Sequence, residues 1–223
     1  MKTVRCFLAV KLDIEPVRAI AERQAELIDS CKNEGIGVRW VPPPNMHFTI
    51  RFLGQITEPM AYALKDMLKS ITSAFSPFEI TSTGIGVFPN ILNPRVVWAG
   101  CDHGKEQLEQ LHAKVSNRLV SAGFHLDDKP FQSHVTIGRV KGTQAGSLAS
   151  LIENDTRVFG QTMVRNLYCY QSDLTPKGAE YHSMWTLPLL GGKRHKIHTQ
   201  PKPPQMTFQE ERKGEKSDDD NAG

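Results

Sequence analysis

A chain of 223 residues, 39% hydrophobic and 23% charged, has the composition of an ordinary soluble protein and is long enough for one sizeable core or two fused half-domains. The net charge is only +3, and the last thirty-two residues hold 7 Lys+Arg against 6 Asp+Glu, leaving 20 basic and 18 acidic residues upstream. That balance excludes a general nucleic-acid glove, so any RNA must be gripped through a few phosphates in a cleft.

In chain order, Val4 to Leu12 is an apolar strand. A helix follows from Glu15 to about Cys31, opened by Asp13 and Pro16, with Val17, Ile20, Ala21, Gln24, Leu27 and Ile28 at helical spacing. Val38 to Val41 is a short strand stopped by three prolines, and His47 to Leu53 alternates until Gly54. The spacing predicts an amphipathic helix over Glu58 to Ala74, with Met60, Ala63, Leu64, Met67, Leu68 and Ile71 inward, and then a strand from Phe78 to Val87.

The order then begins again. A strand at Val96 to Gly100 precedes a helix from Lys105 to Ala122 that buries Leu108, Leu111, Val115 and Leu119. The strand His134 to Val140, a short helix around Ser147 to Glu153, and strands near Val164 to Gln171 and Tyr181 to Leu189 complete it. Each half thus carries strand, helix, His-containing strand, helix, strand, which points to an internal duplication within one domain, 1–190. From Gly191 to Gly223 the chain is rich in Pro, Lys and acidic residues with few apolar ones, and is expected to be a disordered polar tail.

The four cysteines, Cys6, Cys31, Cys101 and Cys169, lie far apart with no CxxC pair, so neither a zinc cluster nor a disulfide framework is indicated and a reducing, cytoplasmic setting fits. The N-terminal apolar run is too short for a signal peptide, no segment reaches bilayer length, and the Asn154-Asp-Thr acceptor pattern has no meaning without secretion. Gly84-Ile-Gly86 lacks a third glycine and a following helix, which rules out a dinucleotide fingerprint.

Two elements carry the chemistry. His47-Phe-Thr-Ile50 recurs 87 residues later as His134-Val-Thr-Ile137, each on an alternating strand. Alternation places His47 and Thr49 on one face and Phe48 and Ile50 on the other, and likewise His134 and Thr136 against Val135 and Ile137. Each strand offers one imidazole and one hydroxyl while two apolar groups anchor it. Opening a cyclic phosphate requires a base for the attacking water and an acid for the departing oxygen. Imidazole, with an ordinary pKa of about 6.5, can fill either role near neutral pH, and the threonine hydroxyls can donate to the non-bridging oxygens. No cofactor is needed, and no motif places a third ligand for a metal beside the two histidines.

Arg51 and Arg139 are further substrate-binding candidates. Strict alternation gives Arg51 the face of His47 and sends Arg139 to the other side, unless Gly138 introduces a bulge. Trp40, Phe52 and Tyr168 could stack a terminal base, although aromatics in apolar strands more often fill the core. His103, His112, His125, His182, His195 and His198 have no such pattern and read as structural.

These paired elements resemble those of the 2H phosphoesterase superfamily, and more narrowly the bacterial and archaeal RNA 2′,3′-cyclic phosphodiesterases, also called 2′-5′ RNA ligases. Arg5-Cys-Phe-Leu-Ala-Val, Val38-Arg-Trp-Val-Pro-Pro, Arg51-Phe-Leu-Gly, Gly86-Val-Phe-Pro-Asn, Pro94-Arg-Val-Val-Trp-Ala-Gly, Lys129-Pro-Phe and the stretch from Leu167 to Tyr181 extend the similarity over residues 3 to 189. The resemblance implies a two-lobed α+β fold of antiparallel sheets flanked by helices, with pseudo-twofold symmetry and a central cleft. It also implies hydrolysis of a 2′,3′-cyclic RNA end to a 2′-phosphomonoester, with His47 as proton donor and His134 as proton acceptor. Its substrates would be cyclic-ended RNA, tRNA fragments and nucleotides included; a monomer is the default expectation, and the lack of a bilayer-length segment points away from a membrane. Both motifs end in Ile where the family usually has Leu, a position facing away from the cleft. Reversible ATP-independent 2′-5′ ligation uses the same acid and base, and a non-catalytic RNA-end binding module would keep only the cleft. The intact histidines and threonines argue against the latter.

Overall fold

The computed structural model describes residues 2–127, 129–142, 148–176 and 178–192, all within one unit, Met1–Lys193. Strand β1 (Thr3–Lys11) leads into helix α1 (Ile14–Asn33), then β2 (Val38–Trp40), a 3-10 turn (Pro43–Asn45), β3 (His47–Thr57), α2 (Glu58–Ala74) and β4 (Phe78–Phe88). The second half runs β5 (Val96–Cys101), α3 (Lys105–Ser121), β6 (His134–Val140), α4 (Leu148–Ile152), β7 (Val158–Val164), β8 (Asn166–Thr175) and β9 (Gly178–Pro188). The expected tail lies, from residue 193 onward, outside the described residues.

All nine strands belong to one antiparallel sheet in the order β7-β4-β5-β6-β3-β1-β8-β9, with β2 paired to β6. The two histidine strands are thus neighbours at its centre, each backed by three strands on its outer side. They meet at Phe48 and Val135. Counting outward from that pair in antiparallel register sets His47 beside Thr136 and Thr49 beside His134, an arrangement that a twofold axis through the pair would map onto itself.

The core is formed where the inward residues of the strands meet the apolar stripes of the helices, with Leu8, Phe48, Ile50, Leu64, Leu68, Leu108, Leu111 and Ile137 fully buried. Helix α3 buries the four predicted residues. Helix α2 keeps most of its predicted stripe, with Leu64 and Leu68 buried and Met67 and Ile71 packed against the core, but Met60 and Ala63 lie outside it. Ala61, Leu64, Leu68 and Thr72 face inward while Met60 is exposed, because Trp185 of β9 donates its indole N–H to the Ala61 carbonyl at 2.7 Å and sets the helix's rotation. In α1, Ile28 is likewise outside and Cys31 inside.

Two strand assignments change. Strand β3 continues through Gly54 to Thr57, because Gly54 takes a left-handed conformation (φ +71°) at a bulge opposite Cys6 and Phe7. The region expected to hold one strand near Val164 to Gln171 holds two, β7 and β8. β7 is an edge strand with an exposed Val158 and a positive-φ Gly160, which breaks its alternation.

Candidate active site

Both histidines begin their strands, and both are fixed by the same backbone device. His47 Nδ1 donates to the carbonyl of Asn45 at 2.7 Å, and His134 Nδ1 donates to the carbonyl of Gln132 at 2.7 Å. A carbonyl can only accept, so the proton of each neutral ring sits on Nδ1 and Nε2 is the working nitrogen. Thr49 Oγ lies 3.1 Å from His47 Nε2, where its hydroxyl can donate. The rings are also held by aromatics: Phe7 stacks on His47 at 4.8 Å with Tyr181 at its edge, and Phe88 stands edge-on to His134 at 4.9 Å. Asn45 is itself tied down, its side chain donating to the carbonyl of Ala179 at 2.9 Å.

His47, Thr49, His134 and Thr136 all line one cleft of about 420 Å³, so the four residues expected to converge do so. The two arginines change places relative to expectation. In β3 a bulge leaves Ile50 unmatched between the pairs Leu8–Arg51 and Ala9–Thr49; in β6 another leaves Ile137 unmatched between Val97–Gly138 and Trp98–Thr136. Each bulge shifts the face of every residue beyond it by one position.

Arg51 therefore points away from the cleft and is 9% exposed. It donates to the carbonyl of Asp127 at 2.8 Å and to His112 Nε2 at 3.2 Å, and lies 3.3 Å from the Asp127 carboxylate. Its expected phosphate contact is corrected to a structural one. Arg139 turns into the cleft with Arg5, and among the described residues neither has a carboxylate partner. Gly138, on the buried side, admits β2, because a Cβ there would meet Val38 at 2.8 Å and Trp40 at 3.0 Å. Trp40 is thus packing rather than cleft, whereas Phe52, 60% exposed, lines the cleft.

Burial pulls His47 down to about 4, against the bond to the Asn45 carbonyl and with a smaller push from His134. Burial also lowers His134, opposed by the Gln132 carbonyl and aided by the Arg139 charge. Any chemistry needing one neutral and one protonated imidazole then has its optimum on the acid side. Activity falls as pH rises through the higher macroscopic pKa of the pair and as pH falls through the lower one, whichever ring carries each. The kcat/KM profile should be a bell with its optimum below pH 6.5 and one limb near 4. The kcat profile should lie to its alkaline side, because a bound phosphate anion stabilises imidazolium. A kcat/KM plateau reaching pH 8 would contradict this.

Among the described residues, no group of three or more His, Cys, Asp or Glu side chains could hold a metal ion, and no helix is long and apolar enough to cross a membrane. Phe7, Asn45, Tyr181 and Arg5 join the site without having been anticipated. Alternation along β1 could have singled out Arg5 and Phe7, but the carbonyls of Asn45 and Gln132 leave no trace in side-chain identity.

The family model described as LigT like Phosphoesterase matches residues 14–98 and 100–181, one segment holding each histidine. An RNA 2′,3′-cyclic phosphodiesterase of Archaeoglobus fulgidus is 35% identical over 181 residues, 81% of this chain and 98% of that protein. One of Aquifex aeolicus is 34% identical over 183 residues, 81% of this chain and 95% of that protein. Among solved structures, TT0787 of Thermus thermophilus superposes with a TM-score of 0.70 at 26% identity, covering 84% of this chain and 98% of that one. The E. coli LigT complexed with 3′-AMP superposes at 0.65 and 22% identity, covering 84% and 99%, a likeness of fold.

Proposed function

The chain belongs to the LigT-like phosphoesterase family, and we propose that it hydrolyses RNA ends carrying a 2′,3′-cyclic phosphate to 2′-phosphomonoesters by paired-histidine acid–base catalysis. One observation carries this: two His-x-Thr strands bring both imidazoles to one cleft, each ring held through Nδ1 by a carbonyl two residues earlier.

The water oxygen attacks phosphorus in line with the P–O3′ bond. His134 Nε2 takes the water's proton, the P–O3′ bond breaks, and His47 Nε2–H delivers a proton to O3′. The 2′-O–P bond stays intact. Each turnover leaves His47 neutral and His134 protonated, and exchange with solvent resets both. Thr49 and Thr136 donate to the non-bridging oxygens, and Arg139 and Arg5 offset their charge. His47 begins largely neutral, so the phosphate's own charge recruits the acid form.

The relatives' names support the substrate class, with tRNA fragments and mononucleotides among the ends that a cleft of this size admits. All groups in the scheme come from one chain, in keeping with a monomer. The four cysteines are free, in keeping with the cytoplasm. We read the two matched segments as an internal duplication within a single catalytic domain.

The test is an RNA oligonucleotide of defined sequence ending in a 2′,3′-cyclic phosphate, incubated with the protein in excess chelator. The expected product is the 2′-phosphomonoester. Recovery of the intact cyclic end, or of a 3′-phosphate, would overturn the proposal.

A further inference from the structure

A second groove, of about 400 Å³, opens on the other side of His47. Its walls include Lys11, Pro43, Pro44, Tyr170 and Ser183, and Asn45, His47 and Tyr181 line both it and the cleft. The two depressions therefore adjoin, with these three residues as their common wall.

Strand register explains how the groove is furnished. Lys11 lies directly opposite His47 in β3, while Ala9 and Phe7 lie opposite Tyr168 and Tyr170 in β8. Cross-strand partners share a face, so Lys11 and the two tyrosines stand on the face that carries His47. There the rings form a series of steps from the site outward: His47 on Phe7 at 4.8 Å, Phe7 on Tyr170 at 5.4 Å and Tyr170 on Tyr168 at 5.9 Å. The Lys11 ammonium ends over the last two, 4.7 Å from the centre of Tyr168 and 5.7 Å from that of Tyr170.

This aromatic cluster is separate from the main core. Lys11 is exposed and, among the described residues, has no carboxylate partner. A cation held on aromatic faces beside a phosphate-handling cleft is suited to a second phosphate with its nucleoside.

We propose that this groove is the subsite for the nucleotide immediately 5′ of the cyclic end, with Lys11 on the linking phosphate and Tyr168 as the residue that positions Lys11. The inference rests on the hydrolase reading above and on its assignment of His47. If His47 protonates the departing O3′, the ribose lies on that side of phosphorus, and the strand it belongs to continues into the groove beyond His47. The protein then reads at least two nucleotides.

The experiment compares a 2′,3′-cyclic mononucleotide with a dinucleotide bearing the same cyclic end. Lys11→Ala should lower kcat/KM about tenfold on the dinucleotide, mainly through KM, and leave the mononucleotide within about twofold, with Lys11→Arg restoring most of the loss. Tyr168→Ala should reproduce part of the Lys11→Ala effect on the dinucleotide. An equal loss on both substrates, or no loss on the dinucleotide, would overturn the subsite. If the unaltered protein hydrolyses neither substrate, the hydrolase reading fails instead. Calorimetric binding of the two ligands then decides the subsite, which stands only if Lys11→Ala weakens the dinucleotide alone.

Discussion

Replacing either His47 or His134 by alanine should reduce turnover of a cyclic-ended RNA by about 10²- to 10⁴-fold, the range that positioned general acids and bases supply. The loss should appear in kcat, because each imidazole acts on a proton that moves only as the P–O bonds change. Neither ring is a major piece of the core. His47→Ala forfeits its stack on Phe7 and leaves the Asn45 carbonyl without its donor, a cost on the order of 1–3 kcal/mol where the carbonyl stays dry. Circular dichroism at ambient temperature should therefore be preserved, with thermal unfolding lower by about 2–12 °C. Undiminished turnover in either folded variant would remove that histidine from the chemistry.

Arg51→Met should lower kcat ten- to a hundredfold with little change in KM, although Arg51 does not reach the cleft. Its guanidinium joins the His47 strand to the segment leading to His134, holding the Asp127 carbonyl and His112. His112 in turn stacks on Phe131 at 4.3 Å, next to Gln132, whose carbonyl orients His134. Burial, with the Arg51 charge beside it, lowers the His112 pKa and keeps the ring neutral, as an acceptor from Arg51 must be. Methionine keeps the length of the side chain and loses the donors, so the segment can shift, and a displacement of about 1 Å at a reacting group can cost about a hundredfold. The stability change should be modest, about 1–2 kcal/mol, since the Asp127 carboxylate is 63% exposed and its ion pair is screened. Among the described residues Arg51 Nε has no hydrogen-bond partner, so methionine also removes a buried unsatisfied donor. A kcat within twofold of the unaltered protein would mean that the segment before His134 holds itself.

The central pair was legible in the sequence because strand alternation is local: once His47-Phe-Thr-Ile and His134-Val-Thr-Ile are strands, the polar and apolar faces follow. The arginines were not, because the bulges at Ile50 and Ile137 belong to the pairing with β1 and β5, and pairing is a long-range property. Gly138 was the one local hint, and Arg51 had none. The rotation of α2 toward Ala61 and Thr72 likewise depends on where Trp185 lands 124 residues later. Backbone acceptors are the least visible: Asn45 and Gln132 matter for their carbonyls, which any residue would supply. Tyr168, read as either a stacking residue or core, belongs to neither the main core nor the cleft but to the face between Lys11 and Tyr170.

The acid–base division is tested most directly by an RNA end whose bridging 3′ oxygen is replaced by sulfur, because a thiolate departs without a proton. With His47 as acid and His134 as base, the deficit of His47→Ala should shrink from about a thousandfold on the oxygen substrate to under about tenfold on the sulfur one. That of His134→Ala should persist. The reverse pattern would exchange the two roles, and deficits unchanged in both variants would contradict paired acid–base catalysis at this cleft.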